Sequence, residues 1–331
     1  MKEVFDKFNS LTVLVIGDVM LDAYLWGKVE RISPEAPVPI VSVTKKENRL
    51  GGAANVALNI QSLGAKPIIC SVIGHDAEGD QFLKLLENQQ LSNEGILRVK
   101  DRPTTVKTRI IAHAQQIVRV DEETDENISS KTTQILLNKI KQIITSQSIN
   151  AIIFEDYDKG LITKTLIEET VLLANEKQII TVVDPKKRNF LNYKNVSLFK
   201  PNLKELREGL KLDINPKNIA ELEFAVTTLQ KQLGVKMVMV TLSEMGVFMT
   251  SAEGAEIIPA HVRTIADVSG AGDTVIATTA LCLAAGLNEF QTATIANLAG
   301  GLVCEYVGVV AINKDQLQED LFEYSAGLRT N

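Results

Sequence analysis

The sequence predicts a doubly wound α/β fold, a mainly parallel sheet with helices on both faces and a small β lid. Three observations predict it: short aliphatic runs, helix-period segments between them, and two stretches that break the alternation. The first run, Leu11 to Gly17, ends in glycine and reads as a buried parallel strand. Similar runs follow at Pro67 to Ile73, Ala151 to Phe154, Ile179 to Val183, Val196 to Phe199 and Lys236 to Thr241. Helical periodicity marks Ala53 to Leu63, Gly79 to Gln90, Lys131 to Gln147, Thr163 to Asn175 and Pro216 to Leu233. Strands alternating with helices imply right-handed crossovers and a sheet covered on both faces. The breaks fall at about 23–49 and about 96–120. The first contains Pro34, Pro37 and Pro39 ahead of Ile-Val-Ser-Val, and the second alternates apolar and polar residues with no helix between strands. Both are expected to form antiparallel β structure outside the main sheet, as one lid inserted in the core. The expectation is a single domain over residues 1–331, mostly helical after Asp273 and without internal repeats.

Composition narrows the function classes. With 45% apolar and 23% charged residues, the chain falls among folded globular proteins rather than disordered ones. Its formal net charge is −6 and it has no long Lys/Arg run, which disfavours a nucleic-acid partner. The short Lys186-Lys187-Arg188 triplet reads as a local anion contact or a solvated turn. Trp26 is the only tryptophan, so stacking on bases or sugars has little support. Cys70, Cys282 and Cys304 are far apart in apolar surroundings and read as reduced core thiols. The three histidines lack ligand spacing, so no structural zinc is expected. The N-terminus carries no apolar stretch, and Val275 to Leu287 is too short to span a bilayer. A cytoplasmic protein without a membrane partner is expected.

The most informative segment is Asp267-Val-Ser-Gly-Ala-Gly-Asp273-Thr-Val. The turn Gly270-Ala271-Gly272 leads into an apolar helix from about Asp273 to Ala285, with Gly286 as its stop. A helix start offers unpaired N–H groups and a positive dipole end, and glycines let backbone approach an anion closely. Gly270, Ala271 and Gly272 are therefore candidates for an anion hole, and Asp273 for a base that accepts a proton from an attacking hydroxyl. The ordinary structural reading is a plain turn with a dipole-stabilising aspartate. A dinucleotide fingerprint fails because Val275 replaces its third glycine, and no Walker A pattern occurs in the chain.

This segment resembles the C-terminal signature of the ribokinase-like (PfkB) carbohydrate kinases. A second segment, Gly51-Gly52-Ala-Ala-Asn55-Val-Ala-Leu-Asn59 followed by Leu63-Gly64-Ala65, resembles the family's N-terminal signature. Two glycines permit close backbone approach, and Asn55 offers a donor and an acceptor to a polyol. The resemblance runs from about residue 11 to 315. It implies a ribokinase-like fold, ATP and Mg²⁺ as co-substrate and metal, and Asp273 as the catalytic base. It also implies that Asp22, Gly51, Gly52 and Asn55 bind sugar. Pro201-Asn202-Leu-Lys-Glu205 resembles the N-x-x-E motif, so Asn202 and Glu205 are expected to organise magnesium and phosphate through water. Thr241, Ser243, Glu244 and Gly246 match a nucleotide-contacting segment, and Asn297 the adenine pocket. A monovalent cation is possible within the same resemblance.

Three further segments narrow the acceptor. Arg31 to Ile40, Asp156-Tyr-Asp-Lys159-Gly160 and Thr241 to Gly246 look like the branch of the family in ADP-heptose and lipopolysaccharide precursor synthesis. That branch phosphorylates the anomeric hydroxyl of D-glycero-β-D-manno-heptose 7-phosphate. Asp156 and Lys159 join the substrate candidates on this resemblance. A sugar already phosphorylated at its far end needs cations, and Lys107 and Arg109 share one face by the period-two rule, with Arg119 and Arg31 nearby in the lid segments. The ordinary account of these four is solvated edge-strand charge. Glu155 departs from the pattern, where a small residue is expected before Asp156. The bifunctional members add an adenylyltransferase domain, which a separate protein is expected to supply here. A ribokinase-like kinase for another sugar, and a non-catalytic sugar- or nucleotide-sensing protein, stay open as alternatives. The intact Gly270–Asp273 segment argues against the second. Exposed lid strands are expected to pair two copies into a homodimer.

Overall fold

The computed structural model describes residues 2–327 except 114, 252, 253 and 262. Met1 and residues 328–331, which the expected domain includes, lie outside the described residues. The chain opens with α1 (Lys2–Phe8) and β1 (Thr12–Gly17), then turns at Asp18 into the lid ribbon β2 (Val19–Ile32) and β3 (Pro39–Gly52). It returns to the core through α2 (Ala53–Ser62), β4 (Lys66–Gly74), α3 (Ala77–Asn88) and β5 (Ile96–Val99). A second lid hairpin, β6 (Val106–Ala112) and β7 (Gln115–Glu122), precedes α4 (Ser130–Ser146) and β8 (Ala151–Glu155). Next come α5 (Lys164–Glu176), β9 (Ile180–Asp184), the short β10 (Leu198–Phe199), α6 (Leu203–Leu210), α7 (Ile219–Leu233) and β11 (Met237–Thr241). A hairpin of β12 (Val247–Ser251) and β13 (Gly254–Ile258) leads to α8 (Ala271–Ala284), α9 (Glu289–Val303) and α10 (Lys314–Ser325).

Among the described residues the main sheet has nine strands in the order β13-β12-β11-β10-β9-β8-β1-β4-β5. The chain winds outward from β1 through β4 and β5, then restarts at β8 on the other side of β1 and winds outward again. The crevice beyond the C-terminal ends of β1 and β8 is thus the topological switch point, where open α/β sheets place their ligands.

Strict alternation along each strand sorts the core into two layers. Val13 and Val15 of β1, Ile153 of β8 and Val182 of β9 pack on α1, α2, α3, α8, α9 and α10. Leu14, Ile16, Phe154 and Val183 pack on the opposite layer with α4, α5 and α7. These strands read as continuous aliphatic runs because both faces are covered. Burying each such side chain fully contributes about 1.5–3 kcal/mol. The three cysteines are buried and free, as their apolar surroundings suggested. Among the described residues no helix is long and apolar enough to cross a membrane.

The lid differs from expectation in two ways. It is a four-stranded sheet, β3-β2-β6-β7, spanning 19–52 and 106–122. Residues 96–99, expected in the lid, instead form β5, parallel to β4 with Ser71 opposite Ile96. Leu97 and Val99 pack against the core layer, and that burial holds the segment in the main sheet. The lid is also not wholly antiparallel. β2 and β6 run parallel, with Asp22 opposite Lys107, because both strands leave the core in the same direction. A further element the periodicity did not separate is α6, whose N-cap is Asn202.

Asp18, buried in the turn between core and lid, holds this junction together. Its carboxylate accepts from the backbone N–H groups of Tyr157 at 3.0 Å, Lys159 at 3.2 Å and Leu161 at 3.2 Å. Its own carbonyl accepts from Ala53 N at 3.0 Å, which starts α2. Gly52 must be glycine there, since its φ is 61° and a Cβ would lie 2.4 Å from Asp18 O. Asp18→Ala is expected to lower unfolding free energy by about 3 kcal/mol, since three backbone amides, one buried and two part-buried, lose their acceptor. Urea denaturation measures it, and a loss too small to resolve would remove Asp18 from this role.

Candidate active site

The helix α8 begins at Ala271, two residues earlier than the sequence suggested, so Asp273 sits inside its first turn. Gly270 is the N-cap with φ 82°, and no side chain caps the helix. The turn needs glycine, because a Cβ would also come within 3.1 Å of Asn55 Nδ2. The first-turn amides of Gly272 and Asp273 have no acceptor in a preceding turn, and the positive end of the helix dipole adds to them. Gly270, Ala271 and Gly272, the candidate anion cradle, lie at the head of a buried apolar helix.

Asp273 is buried and held by two donors. Asn55 Nδ2 donates to Oδ2 at 2.6 Å, and the Tyr157 hydroxyl donates to Oδ1 at 2.8 Å. Burial pushes the Asp273 carboxyl up to about 6, further aided by the Asp184 charge, while the bonds from Asn55 and Tyr157 pull the other way. The Tyr157 phenol is pushed well above its ordinary range by burial and by the Asp273 and Glu155 charges, so it stays a donor. Asn55 was expected on the sugar, and the structure turns its amide toward Asp273. Asn59, one helical turn further on, accepts from Thr274 Oγ1 at 3.0 Å and from Ile312 N at 3.0 Å. Together Asn55 and Asn59 lock α2 to α8.

A row of charged residues lies beneath the cradle. Gly17, Glu155 and Asp184 are register neighbours across β1, β8 and β9. The alternation that puts Val15, Ile153 and Val182 on the α8 face puts these three there as well. Asp184 pairs with Lys200 at 2.7 Å, both nearly sealed from solvent. A Cβ on Gly272 would stand 3.6 Å from Asp184 Oδ2, which places the pair directly under the cradle. The Glu155 carboxyl is pushed well above its ordinary range, by burial first and then by Asp184 and Asp273. Its Oε2 is buried with no hydrogen-bond partner. Lys186, just past β9, contacts Glu205, and its ammonium lies 5.9 Å from the centre of the Tyr157 ring.

Asp156 faces the other way. It accepts from Tyr193 OH at 2.7 Å, Asn189 Nδ2 at 3.1 Å and Asp158 N at 2.9 Å, in the opposite core layer. Burial, with help from Asp18, pushes its carboxyl up to about 6. The sequence placed Asp156 with the substrate, and the structure gives its carboxylate to a buried network on the far face of the sheet.

The lid root gathers most of the remaining substrate candidates. Asp22 on β2 pairs with Arg109 on β6 and accepts from Tyr24 OH at 2.6 Å. Arg49 and Arg109 both lie over the Tyr24 ring, at 4.8 and 5.5 Å from its centre. Gly51 and Gly52 end β3 beside this cluster. Lys107 pairs with Asp121 at 3.0 Å and Glu123 at 2.9 Å, and Lys159 pairs with the same Glu123 at 2.5 Å. Arg119 is bonded to Asp121 at 2.8 Å. Arg31 is not brought to this cluster. It lies exposed near the tip of the ribbon, opposite Ile40 and nine residues along β2 from Asp22.

The nucleotide candidates gather at the other end of the crevice. Asn202 and Thr241 bridge beyond β10 and β11. Asn202 and Glu205 form a capping box on α6, Asn202 Oδ1 accepting from Glu205 N at 2.8 Å and Glu205 Oε2 accepting from Asn202 N at 2.9 Å. Ser243 and Glu244 lie in a single 3₁₀ turn that Gly246 closes with φ 92°. Asn297 donates to Pro259 O at 2.8 Å and so anchors the end of β13 beside α9. Among the described residues no three acidic, cysteine or histidine side chains stand close enough to chelate a metal ion. Both Glu205 oxygens are engaged, Oε2 by Asn202 N and Oε1 by Lys186.

Tyr157, Lys186, Asp184, Lys200 and Asp18 were not among the sequence candidates for the site. The alternation Glu155-Asp156-Tyr157 could have sorted the first of them, since residues two apart at a strand end share a face.

This geometry can be compared with known proteins. The model of the pfkB family carbohydrate kinases matches residues 10–316. The chain is 38% identical over 307 residues to a bifunctional protein HldE of Sulfurimonas denitrificans, covering 93% of the chain and 63% of that relative. It is 39% identical over 305 residues to one from Helicobacter pylori, covering 92% of the chain and 65% of that relative. The chain thus spans somewhat under two thirds of the length of these relatives. Among solved structures, phosphofructokinase-2 from Escherichia coli in complex with potassium superimposes with a TM-score of 0.78 at 18% identity, over 95% of this chain and 99% of that one. Ribokinase from Arabidopsis thaliana complexed with ribose and ATP gives 0.71 at 16% identity, over 93% and 98%. At such identities the two structures speak for the fold, which is ribokinase-like. With a family match over most of its length and relatives at 38–39% identity, the chain belongs to the pfkB family of carbohydrate kinases.

Proposed function

We propose that the chain transfers the γ-phosphoryl group of ATP, with Mg²⁺, to the anomeric hydroxyl of D-glycero-β-D-manno-heptose 7-phosphate, giving the 1,7-bisphosphate. The observation that carries the phosphoryl-transfer half is the Asp273 carboxylate, oriented by Asn55 and Tyr157 at the mouth of an anion cradle. The acceptor half is supported by the segments Arg31–Ile40, Asp156–Gly160 and Thr241–Gly246, and by the likeness to the bifunctional HldE proteins. The reaction would take place in the cytoplasm, where ATP is supplied, within one ribokinase-like unit that includes the lid.

Each group has a physical task. The sugar lies between core and lid root, against Asp22, Gly51 and Gly52. Asp273 accepts the proton of the anomeric hydroxyl as that oxygen attacks in line. Its two donors use one lone pair of each carboxylate oxygen, which leaves a lone pair for the substrate. The Gly270–Gly272 backbone takes up charge developing on the transferring group. Asn202, Thr241, Ser243, Glu244, Gly246 and Asn297 line the nucleotide side. Bound magnesium supplies charge neutralisation at the phosphates, with Glu205 and Asn202 reaching it through water. Lys107 and Lys159 meet the distal phosphate by exchanging their shared partner Glu123 for it. Lid closure excludes water and protects ATP from hydrolysis.

The lid also exposes Val38, Val43, Val118 and Val120. A second copy covering them makes a homodimer through the lid. Sedimentation at micromolar concentration is expected to give twice the chain mass, and Val43→Lys with Val118→Lys the single mass. A wild-type monomer would end this part of the proposal.

Two kinetic tests bear on the rest. With Mg–ATP, ADP release is expected with the heptose 7-phosphate and at least about 100-fold less kcat/KM with fructose 6-phosphate, ribose or fructose. Preference for another sugar would retain the base and reject the heptose. Asp273→Asn is expected to lower kcat by about 10³-fold with ATP binding kept. The base must be deprotonated to act, so activity should fall as pH drops through about 6, the value to which burial raises Asp273. Tyr157→Phe removes a donor that favours the charged form, so its acid limb should move to higher pH. A limb that stays in place would separate Tyr157 from the base.

A further inference from the structure

Lys186 and Lys200 are the two lysines that approach the base from the sheet side, and they differ in one decisive respect. The Lys200 side chain is 3% exposed and sealed against Asp184 at 2.7 Å, so it serves as a fixed counter-ion beneath the cradle. The Lys186 side chain is 34% exposed and stands on the open rim beyond β9. Its ammonium touches Glu205 Oε1 and faces the Tyr157 ring, whose hydroxyl bonds Asp273. The other oxygen of Glu205 is fixed on Asn202 N, so the carboxylate cannot follow if Lys186 moves.

The charge inventory of the crevice points the same way. A transferring phosphoryl group needs cationic partners besides the metal. On the lid side, Arg109 is held by Asp22, and Lys107 and Lys159 by Glu123. Beneath the cradle Lys200 is held by Asp184. Of these described cations, Lys186 alone combines solvent access, a long flexible stem and a place between the Asn202–Glu205 cap and Asp273. Burial disfavours its charged form, but Asp184, Glu205 and Glu155 more than offset that and hold its affinity for the proton above the ordinary lysine range.

We propose that Lys186 is a catalytic residue whose ammonium leaves Glu205 when a nucleoside triphosphate binds and pairs with the γ-phosphoryl oxygens through transfer. The Lys186–Glu205 ion pair is then a placeholder. One exchange gives the ammonium to the phosphate and frees a Glu205 oxygen for a water of the metal. Lys186 forms and breaks no covalent bond. The acceptor oxygen bonds to the γ-phosphorus, the bond from that phosphorus to the β,γ-bridging oxygen breaks, Asp273 receives the hydroxyl proton, and ADP leaves. The inference rests on phosphoryl transfer and not on which sugar is the acceptor.

The test uses the full chain with Lys186→Met, Lys186→Arg and wild type. Equilibrium binding of ATP and of ADP with Mg²⁺ needs no sugar, so it stands even if the heptose proposal fails. Lys186→Met is expected to weaken ATP about tenfold more than ADP, since only ATP presents the γ group. With whichever sugar the wild type accepts, kcat should fall about 10²–10³-fold while the sugar KM changes less than about threefold. Lys186→Arg, which keeps the charge, should recover at least about tenfold of the lost kcat. Lys186→Met with near-wild-type kcat, or equal weakening of ATP and ADP, overturns the proposal. If the methionine variant loses its cooperative melt, the arginine variant and Lys186→Gln carry the same comparison.

Discussion

A parallel sheet that winds outward in both directions leaves a crevice at the strand where it reverses, and the rest of this molecule is arranged around the one between β1 and β8. The crevice exists because the chain leaves β1 toward the lid and leaves β8 toward α5, so no crossover fills the space between. Something must keep the two departures together without closing the gap. Asp18 does so from β1, by accepting three amides from the turn after β8. That grip sets the position of Tyr157, and Tyr157 in turn bonds the Asp273 carboxylate.

Charge is concentrated here at a cost the surroundings must offset. Glu155, Asp184 and Asp273 crowd together beneath the head of α8, and burial favours protonating Glu155 and Asp273. Lys200 neutralises Asp184 through a short sealed pair, and the head of α8 adds the positive end of a helix dipole beside Asp273. Glu155 has no such direct partner, and burial, then the Asp184 and Asp273 charges, raise its affinity for a proton more than Lys200 and Lys186 lower it. The nearby Lys186–Glu205 pair completes a site in which each mobile charge has a resting partner before any ligand arrives.

Much of this was legible in the sequence, and the misses have definite causes. The aliphatic runs gave the central strands to within one or two residues, because buried parallel strands have to be continuously apolar. The Gly270–Asp273 turn disclosed the start of α8, because a positive-φ cap ahead of an apolar run calls for glycine. Ile96–Val99 was misread because an edge strand covered on one side alternates just as a lid strand does. Asp156 joined the substrate candidates on a resemblance of sequence, which does not tell which face its side chain takes until the strand phase is known. The Asp184–Lys200 and Lys186–Glu205 pairs were invisible for a different reason. Their partners lie sixteen and nineteen residues apart, and only the sheet order brings β9, β10 and α6 side by side.

The lid ribbon has a mechanical consequence. β2 and β3 run fourteen residues each from their roots beside Gly52 to the exposed turn around Val38. At ~3.3 Å per residue that is an arm of about 45 Å, so a rotation of about 5° at the root sweeps the tip through about 4 Å. The root is where Asp22, Arg49, Arg109 and Tyr24 meet, within reach of anything in the crevice. A tilt too small to break a hydrogen bond in the core thus becomes a displacement wider than a methyl group at the far end. Were ligand binding in the crevice to tilt that root, a surface seated on the tip would receive the tilt as a translation.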